Sequence, residues 1–126
     1  MMYEVKARYT EVDKTVKVHY LLDAELFGEA EAKAYEKLQD HMDVDVVSIR
    51  RSAIREVIRT DNLRSYYCAT IATVFVDSEK EKTIKYKILL PAATIEEAQK
   101  AVSELLQQGY DMRLDAIKLT TINAVL

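Results

Sequence analysis

Glycine, proline and tryptophan are scarce in this sequence. Its 126 residues include two glycines, one proline and no tryptophan. A phosphate-binding loop of the glycine-rich kind needs several closely spaced glycines, and flexible linkers are rich in glycine, serine or proline. Both features are therefore excluded. The single cysteine, Cys68, excludes an internal disulfide and makes a reducing compartment the simpler interpretation.

Long apolar runs and a basic excess are also missing. A membrane-spanning helix needs about 20 apolar residues, and no apolar run in the sequence approaches that length. The first ten residues lack the apolar core of a secretion signal. The formal net charge is −3, which disfavours a general nucleic-acid coat. We therefore predict a soluble, cytoplasmic protein that does not associate with membranes and forms a single domain over residues 1–126.

The sequence contains an internal duplication. Residues 14–58 align without a gap to residues 82–126, and fifteen of the forty-five aligned pairs are identical. A strand-like segment precedes each copy, beginning at Tyr3 in the first and at Tyr66 in the second. We predict two repeats, residues 1–60 and 61–126, each reading strand, turn, strand, helix, strand. The turn of the first repeat looks short and that of the second longer.

Periodicity predicts the elements of each repeat. Apolar residues alternate over residues 16–22 and 84–90, which indicates strands with one buried face, and they recur at helical spacing over 27–38 and 95–106. Thr94 and Glu97 form a capping-box pattern that the first helix lacks. The predicted fold class is α+β: a tandem duplication of a β-β-α-β unit with pseudo-two-fold symmetry. Antiparallel strands in the order 2-1-3 would carry one helix per repeat on one face.

Two segments leave alternatives open. Ile49, Ala53 and Ile54 break the alternation of the third strand, which predicts a bulge near Ser52 or Ala53, with a helix over 53–60 as the alternative. Residues 66–76 are apolar on nearly both faces. That strand should be central, or covered by the other repeat or by a second subunit, and we expect a homodimer for this reason.

Four segments carry a resemblance to a known family: the first strand at Tyr3, LLDAELFGEAEAK at 21–33, VSIRRSAIREVI at 47–58 and the strand that starts at Tyr66. In these segments the chain resembles an uncharacterised family of short proteins from gut-associated bacteria and their phages. Gly28 stands where the family resemblance leads us to expect threonine. The resemblance implies a phage or mobile-element setting and brings no catalytic residues, because the family has no assigned activity.

Catalytic and metal-binding patterns are not evident. His19 and His41 are the two histidines, and neither has another ligand at the spacing of a structural metal site. Cys68 lies in an apolar strand, where a small buried side chain is the simpler interpretation. Acidic residues, most of them expected on solvated surfaces, occur at Asp43, Asp45, Asp111 and Asp115 and along the first helix at Glu25, Glu29, Glu31 and Glu36. We predict no enzyme activity, no catalytic residue, no metal and no cofactor.

Basic residues provide the candidate site. Residues 48–60 contain one acid, Glu56, and four arginines: Arg50, Arg51, Arg55 and Arg59. The corresponding segment of the second copy has a single basic residue, Lys118. A solvated sheet edge is the simpler interpretation, and an anion site is the functional one. The outer sheet face should also be basic, with Lys6, Arg8, Lys17 and His19 in the first repeat and Lys85 and Lys87 in the second. The site candidates are Arg50, Arg51, Arg55, Arg59, Lys17 and His19.

Three functions are compatible with these features. The leading hypothesis is a non-enzymatic binding protein of phage or mobile-element type, which engages a host protein or a small anionic ligand in a groove between the repeats. The alternative is a nucleic-acid-binding accessory that uses residues 50–59 and the basic strand faces. An enzyme is the least favoured, because no motif supplies a nucleophile, a base or a metal set.

Overall fold

The computed structural model describes residues 1–58, 65–106 and 112–126. In these ranges the strands and helices are, in chain order, β1 (Met2–Glu11), β2 (Lys14–Asp23), α1 (Phe27–Lys37), β3 (Met42–Arg51), β4 (Ile54–Val57), β5 (Ser65–Asp77), β6 (Lys80–Ala92), α2 (Ile95–Leu106), β7 (Met112–Leu119) and β8 (Ala124–Val125). The chain divides into two compact units. Unit 1 comprises Met1–Ser52 and Thr121–Leu126, and unit 2 comprises Ala53–Thr120.

Unit 1 is a four-stranded sheet in the order β3-β1-β2-β8 with α1 against one face. β1 is antiparallel to both β2 and β3, whereas β8 is parallel to β2. Alternate residues of β1 and β2 point toward α1 and bury apolar surface there, which is the main stabilising term. That buried face comprises Tyr3, Val5, Ala7, Tyr20, Leu22, Ala24, Ala30, Ala34 and Leu38.

Unit 2 repeats this arrangement with different strands. Its sheet has the order β4-β6-β5-β7, and α2 packs against one face. Residues buried on the helix side include Tyr67, Ala69, Ile71, Ile88, Leu90, Ala98 and Val102. In each sheet the order 2-1-3 that was expected for the first three strands is observed. A fourth strand then joins beside the second, and it comes from the other copy of the duplication.

This exchange of strands is reciprocal. β4 follows the third strand of the first copy and pairs in parallel with β6, where Val57 lies opposite Leu89. β8 follows the third strand of the second copy and pairs in parallel with β2, where Val125 lies opposite Leu21. In the alignment of the two copies, residue 57 corresponds to residue 125 and residue 21 to residue 89. The two parallel pairings therefore occupy equivalent positions.

The predicted fold class is therefore wrong as a clean duplicated β-β-α-β repeat. Strands hold 61% of the described residues and helices 20%, so the structure is mostly β. The bulge expected near Ser52 or Ala53 is the end of β3, and the chain resumes as β4 in the other sheet. The helical alternative is wrong for Ile54–Val57, which form a strand, and residues 59 and 60 lie outside the described residues. The alternation of apolar residues did not predict this segment, because β3 and β4 belong to different sheets and each sheet sets its own buried side.

The predicted difference between the two hairpin turns is also wrong. Two residues, Val12 and Asp13, connect β1 to β2, and two residues, Ser78 and Glu79, connect β5 to β6. All four have positive φ angles, from 47° to 66°. Positive φ at both turn positions is the geometry that matches the twist of paired strands. The longer turn was expected over VDSEKEK at 76–82, but Val76 and Asp77 end β5 and residues from Lys80 onward belong to β6, so most of this segment extends the hairpin instead.

The helix starts agree with the capping patterns. The amide of Glu97 donates to the Thr94 hydroxyl at 3.2 Å, as the capping box predicts, whereas Leu26 makes no side-chain bond at the start of α1. The strand of residues 66–76 is central in its sheet, as expected. On the face of that sheet opposite α2, Cys68 and Ala72 are buried within the single chain.

Candidate anion-binding pocket

Basic side chains converge on the outer face of the unit 1 sheet. Lys6 and Arg8 alternate in β1 with residues that point toward α1, and Lys17 and His19 do so in β2. The strand register places Lys6 opposite His19 and Arg8 opposite Lys17. These residues line a pocket of about 520 Å³, which we call the first-sheet pocket; its lining is Lys6, Ala7, Arg8, Lys17, Val18, His19, Val47, Thr121 and Asn123.

The lysines of the pocket have no counter-ion among the described residues. Arg8 is neutralised by Asp45, whose Oδ2 accepts from the arginine Nε at 3.2 Å and from its terminal nitrogen at 2.9 Å. In the described part of the chain, neither Lys6 nor Lys17 pairs with a carboxylate. The strand register sets Lys17 directly opposite Arg8, and like charges in that arrangement are unfavourable. The pocket therefore holds two exposed ammonium groups, and an anion beside Lys17 would relieve this repulsion.

The C-terminal segment forms one wall of the pocket. The His19 amide donates to the Asn123 side-chain oxygen at 2.6 Å, and the Asn123 amide donates to the His19 carbonyl at 2.7 Å. The Leu126 amide donates to the Leu21 carbonyl at 2.9 Å. These bonds fix the segment along the open edge of β2, and they bring the Thr121 hydroxyl to 2.7 Å from His19 Nδ1.

His19 stands in the middle of a chain of hydrogen bonds. Its Nε2 lies 3.0 Å from Glu4 Oε1, and the same oxygen accepts from Arg50 at 3.1 Å. The imidazole and the Glu4 carboxylate are almost withdrawn from solvent, with side-chain exposures of 9% and 12%. No buried side-chain nitrogen or oxygen in the described part of the chain lacks a partner. The polar cluster is therefore fully satisfied, as a buried network must be to persist.

The protonation states follow from the surroundings. Burial lowers the pKa of His19 below its ordinary 6.5; the Glu4 charge opposes this, and the charges of Lys6 and Arg50 add to it. Burial would raise the pKa of Glu4, but hydrogen bonds from Ser52 and Arg50 outweigh it and lower that pKa. At neutral pH the carboxylate is thus ionised and the imidazole neutral. Nε2–H then donates to Glu4, and Nδ1 accepts the Thr121 hydroxyl proton.

The predicted site residues divide between the two units. Lys17 and His19 lie together in the first-sheet pocket, and Arg50 contacts Glu4 from an exposed position. Arg51 pairs in the ladder with Tyr3 and is exposed. Arg55 belongs to unit 2, where its guanidinium lies 5.2 Å from the centre of the Tyr86 ring. Arg59 lies outside the described residues.

Sequence reasoning missed Glu4, Thr121 and Asn123. Outward alternation with Lys6 was a signal for Glu4, because it placed both side chains on the outer face. No comparable signal existed for Thr121 and Asn123. They are about a hundred residues from His19 in the chain and reach it through the exchanged segment. The aligned residues of the other copy are Ala53 and Arg55, which carry neither the hydroxyl nor the amide.

Unit 2 does not reproduce the pocket. Lys85 aligns with Lys17, but its ammonium group pairs with Asp115 at 3.1 Å, and Asp115 aligns with the apolar Val47. Lys87 replaces His19. In unit 1 Val5 pairs with Tyr20, and in unit 2 Ala69 pairs with Ile88, which aligns with Tyr20. Cys68, the residue before Ala69, therefore occupies the position of Glu4. A second pocket of about 350 Å³ in unit 2 is lined by Arg55, Glu56, Thr73, Ile84, Tyr86 and Met112.

Other candidate groups have structural surroundings. The ring of His41 stacks on Tyr9, with centroids 3.9 Å apart. Cys68 is buried. A search of the described residues finds no cluster of three or more histidine, cysteine or acidic side chains that would hold a metal ion. Across the same residues, no helix has the length and apolar character needed to cross a membrane.

Comparison with known proteins assigns the chain to a family. Neither the curated proteins nor the solved structures contain a match to it. A family model described as "Domain of unknown function (DUF4494)" matches residues 1–126, which is the whole sequence. The chain therefore belongs to this family of domains of unknown function, DUF4494.

Proposed function

We propose that this protein is a non-enzymatic binding protein that holds a small anionic ligand in the first-sheet pocket. The observation that carries the proposal is the pair of lysines, Lys6 and Lys17, which lack a carboxylate partner among the described residues. The Thr121 hydroxyl and the Asn123 side chain line the same pocket and add polar groups. Small-ligand sites usually combine convergent polar groups with apolar lining residues, and Ala7, Val18 and Val47 supply the apolar part here.

The duplication strengthens this argument. In unit 2, Lys85 occupies the position of Lys17 and has a carboxylate partner, Asp115. In unit 1 the residue at the position of Asp115 is Val47, so the ammonium group of Lys17 is not neutralised from that side. The two copies differ where an anion would be bound, and this difference provides an internal control.

A thermal-shift titration with sodium phosphate and sodium sulfate tests the proposal. A ligand that binds only the folded state raises the melting temperature by mass action. We expect a saturable rise for the wild type and for Lys85→Ala, and a much smaller rise for Lys17→Ala and Lys6→Ala. A rise that is the same in all four proteins would mean a general salt effect and would contradict the site.

Nucleic acid is the less favoured ligand. Binding of single strands usually combines basic groups with aromatic side chains on which bases stack. In unit 1, Tyr3 and Tyr20 are buried on the side of α1, away from the basic face. If a single-stranded oligonucleotide did bind, its affinity would fall steeply with salt in proportion to the phosphates contacted. Such a result would replace the small-ligand proposal.

The biological setting is also a proposal. The phage or mobile-element context implied by the sequence resemblance, the intracellular location and a host-protein partner stay predictions. A homodimer stays a prediction too: in the strand that suggested it, Cys68 and Ala72 are buried, whereas Val76 is exposed. Light scattering coupled to size-exclusion chromatography measures the mass in solution and tests the dimer directly.

A further inference from the structure

We propose that the first-sheet pocket takes a doubly charged tetrahedral oxyanion, such as a phosphoryl or sulfuryl group, and that its binding transfers one proton from solvent to His19. This inference rests on the proposed anion site and names its ligand class and its regulation. Two ammonium groups without a carboxylate partner among the described residues, Lys6 and Lys17, match two negative charges. A single carboxylate would neutralise one of them.

The hydrogen-bond directions give the mechanism. While His19 is neutral, its Nε2–H donates to Glu4, so Nδ1 carries no hydrogen and must accept. The Thr121 hydroxyl therefore donates its hydrogen to Nδ1. The oxygen lone pairs of Thr121 are then the groups available to the pocket, and lone pairs repel an anion. The unliganded state thus disfavours a close approach of the ligand to Thr121.

Protonation of His19 reverses one bond without moving a heavy atom. Nδ1 then carries a hydrogen and donates it to the Thr121 oxygen, which already lies 2.7 Å away. The Thr121 hydrogen is released from the ring and turns toward the pocket, where it donates to the anion. The Nε2–H bond to Glu4 is kept, and it now joins a cation to a carboxylate. Proton uptake therefore supplies the ligand with one more donor.

The charges around His19 make the two events favour each other. Glu4 in β1 favours the imidazolium, whereas Lys6 in β1 and Arg50 in β3 oppose it. Lys17 lies on the strand of His19, and the C-terminal segment presents the neutral groups of Thr121 and Asn123. An anion held between Lys6 and Lys17 would offset the effect of the Lys6 charge and favour the imidazolium. Because coupling between two bound species is reciprocal, a lower pH must then strengthen anion binding.

The direction of the pH effect follows from linkage. Burial lowers the pKa of His19 in the free protein, and the anion raises it in the complex. The affinity increases as the pH falls through the pKa of the complex, and it levels off below the pKa of the free protein. Between these limits, one proton per ligand corresponds to at most about tenfold in affinity per pH unit.

Calorimetry with sodium sulfate tests the inference, because sulfate keeps its double charge across the range studied. Titrations between pH 5.5 and 8.5, each in two buffers with different ionisation enthalpies, measure the protons taken up. We expect an uptake approaching one proton and weaker binding at high pH. Lys85→Ala and His41→Gln should keep both properties, and His19→Gln should lose the uptake. Thr121→Val should bind more weakly, with less dependence on pH. Phosphate, titrated in parallel, shows which oxyanion the pocket prefers.

A spectroscopic measurement keeps the test independent of variant stability. Nitrogen NMR of the wild-type imidazole distinguishes the neutral tautomer with hydrogen on Nε2 from the imidazolium. We expect the neutral form without sulfate and the imidazolium at saturation near neutral pH. Sulfate binding without proton uptake would overturn this inference and leave the anion site standing. If neither sulfate nor phosphate bound, the proposed function would fail as well.

Discussion

His19 is withdrawn from water, so its protonation is linked to folding. Because burial lowers its pKa in the folded state, the unfolded chain binds the proton more readily. The free energy of unfolding is then largest above the ordinary histidine pKa of 6.5, and it decreases as the pH falls toward the folded-state value. We expect the wild type to be less stable at pH 5.5 than at pH 7.5, and His19→Gln to lose most of this difference. Urea unfolding at both pH values measures it.

The matched variant for this prediction is His41→Gln, which replaces the histidine that stacks on Tyr9. It should keep the decrease in stability between the two pH values, whatever its effect on stability itself. If His19→Gln kept the full decrease, another group would be responsible for the pH dependence.

Val12 has a conformation that suits few side chains. It is a β-branched residue with a φ of 47°, and the residue is 88% exposed. A left-handed conformation costs roughly 1–2 kcal/mol for most residues, whereas asparagine adopts it more easily. We expect Val12→Asn to raise the free energy of unfolding by about 1 kcal/mol, or the melting temperature by about 4 °C. Thermal unfolding followed by circular dichroism measures the change.

Val12→Thr is the control for this variant. Threonine removes the exposed apolar surface but keeps the β-branch, so it should give little or no gain. Equal stabilisation by threonine and asparagine would show that exposed apolar surface, and not the backbone angle, limits the stability of this turn.

At the scale of elements, the two helices differ at their starts. Both have an acid whose carboxylate accepts from the backbone four residues earlier: Glu29 from Glu25 at 3.2 Å, and Glu97 from Ala93 at 3.0 Å. Only α2 adds a hydroxyl, from Thr94, while α1 has the 70% exposed Leu26 at this position. Leu26→Thr should stabilise the protein by about 1 kcal/mol, because it accepts an amide hydrogen that α1 leaves without a side-chain partner.

Leu26→Val tests whether the oxygen is the cause, since valine has the shape of threonine without its hydroxyl. Chemical denaturation of both variants gives the comparison. The reverse variant, Thr94→Val, should destabilise the protein by a similar amount. If Leu26→Val matched Leu26→Thr, the gain would come from reduced apolar exposure.

The elements themselves were largely predictable. Periodicity located both helices and the second strand of each repeat, because a single buried face governs each of these elements. Lys17 and His19 were assigned to one outer face for the same reason. Thr121 and Asn123 were not predictable, because their role depends on which sheet receives the last strand. Nothing in a pattern of alternation distinguishes a strand that pairs with its own copy from one that pairs with the other.

At the scale of the whole molecule, unit 1 depends on residues at both ends of the sequence. Removal of residues 123–126 would delete β8 and the Asn123 bonds, and would leave the edge of β2 unpaired. We expect faster hydrogen exchange in peptides from β2 and little change in peptides from β5 and β6. Mass spectrometry of exchange in the full chain and the truncated chain measures both. An equal increase in both sheets would mean that the last strand stabilises the molecule globally.

The strand exchange also sets an order of assembly during synthesis. Unit 2 is a continuous segment, Ala53–Thr120, and all its strands have been made before Thr121 is added. Unit 1 begins first on the ribosome, but it is completed last, because β2 waits for a strand that the ribosome has not yet made. Thr121 and Asn123 therefore reach His19 only after the whole of unit 2 has been translated. A nascent chain without them lacks one wall of the first-sheet pocket, so the pocket takes its final form only after residues 121–126 have been translated.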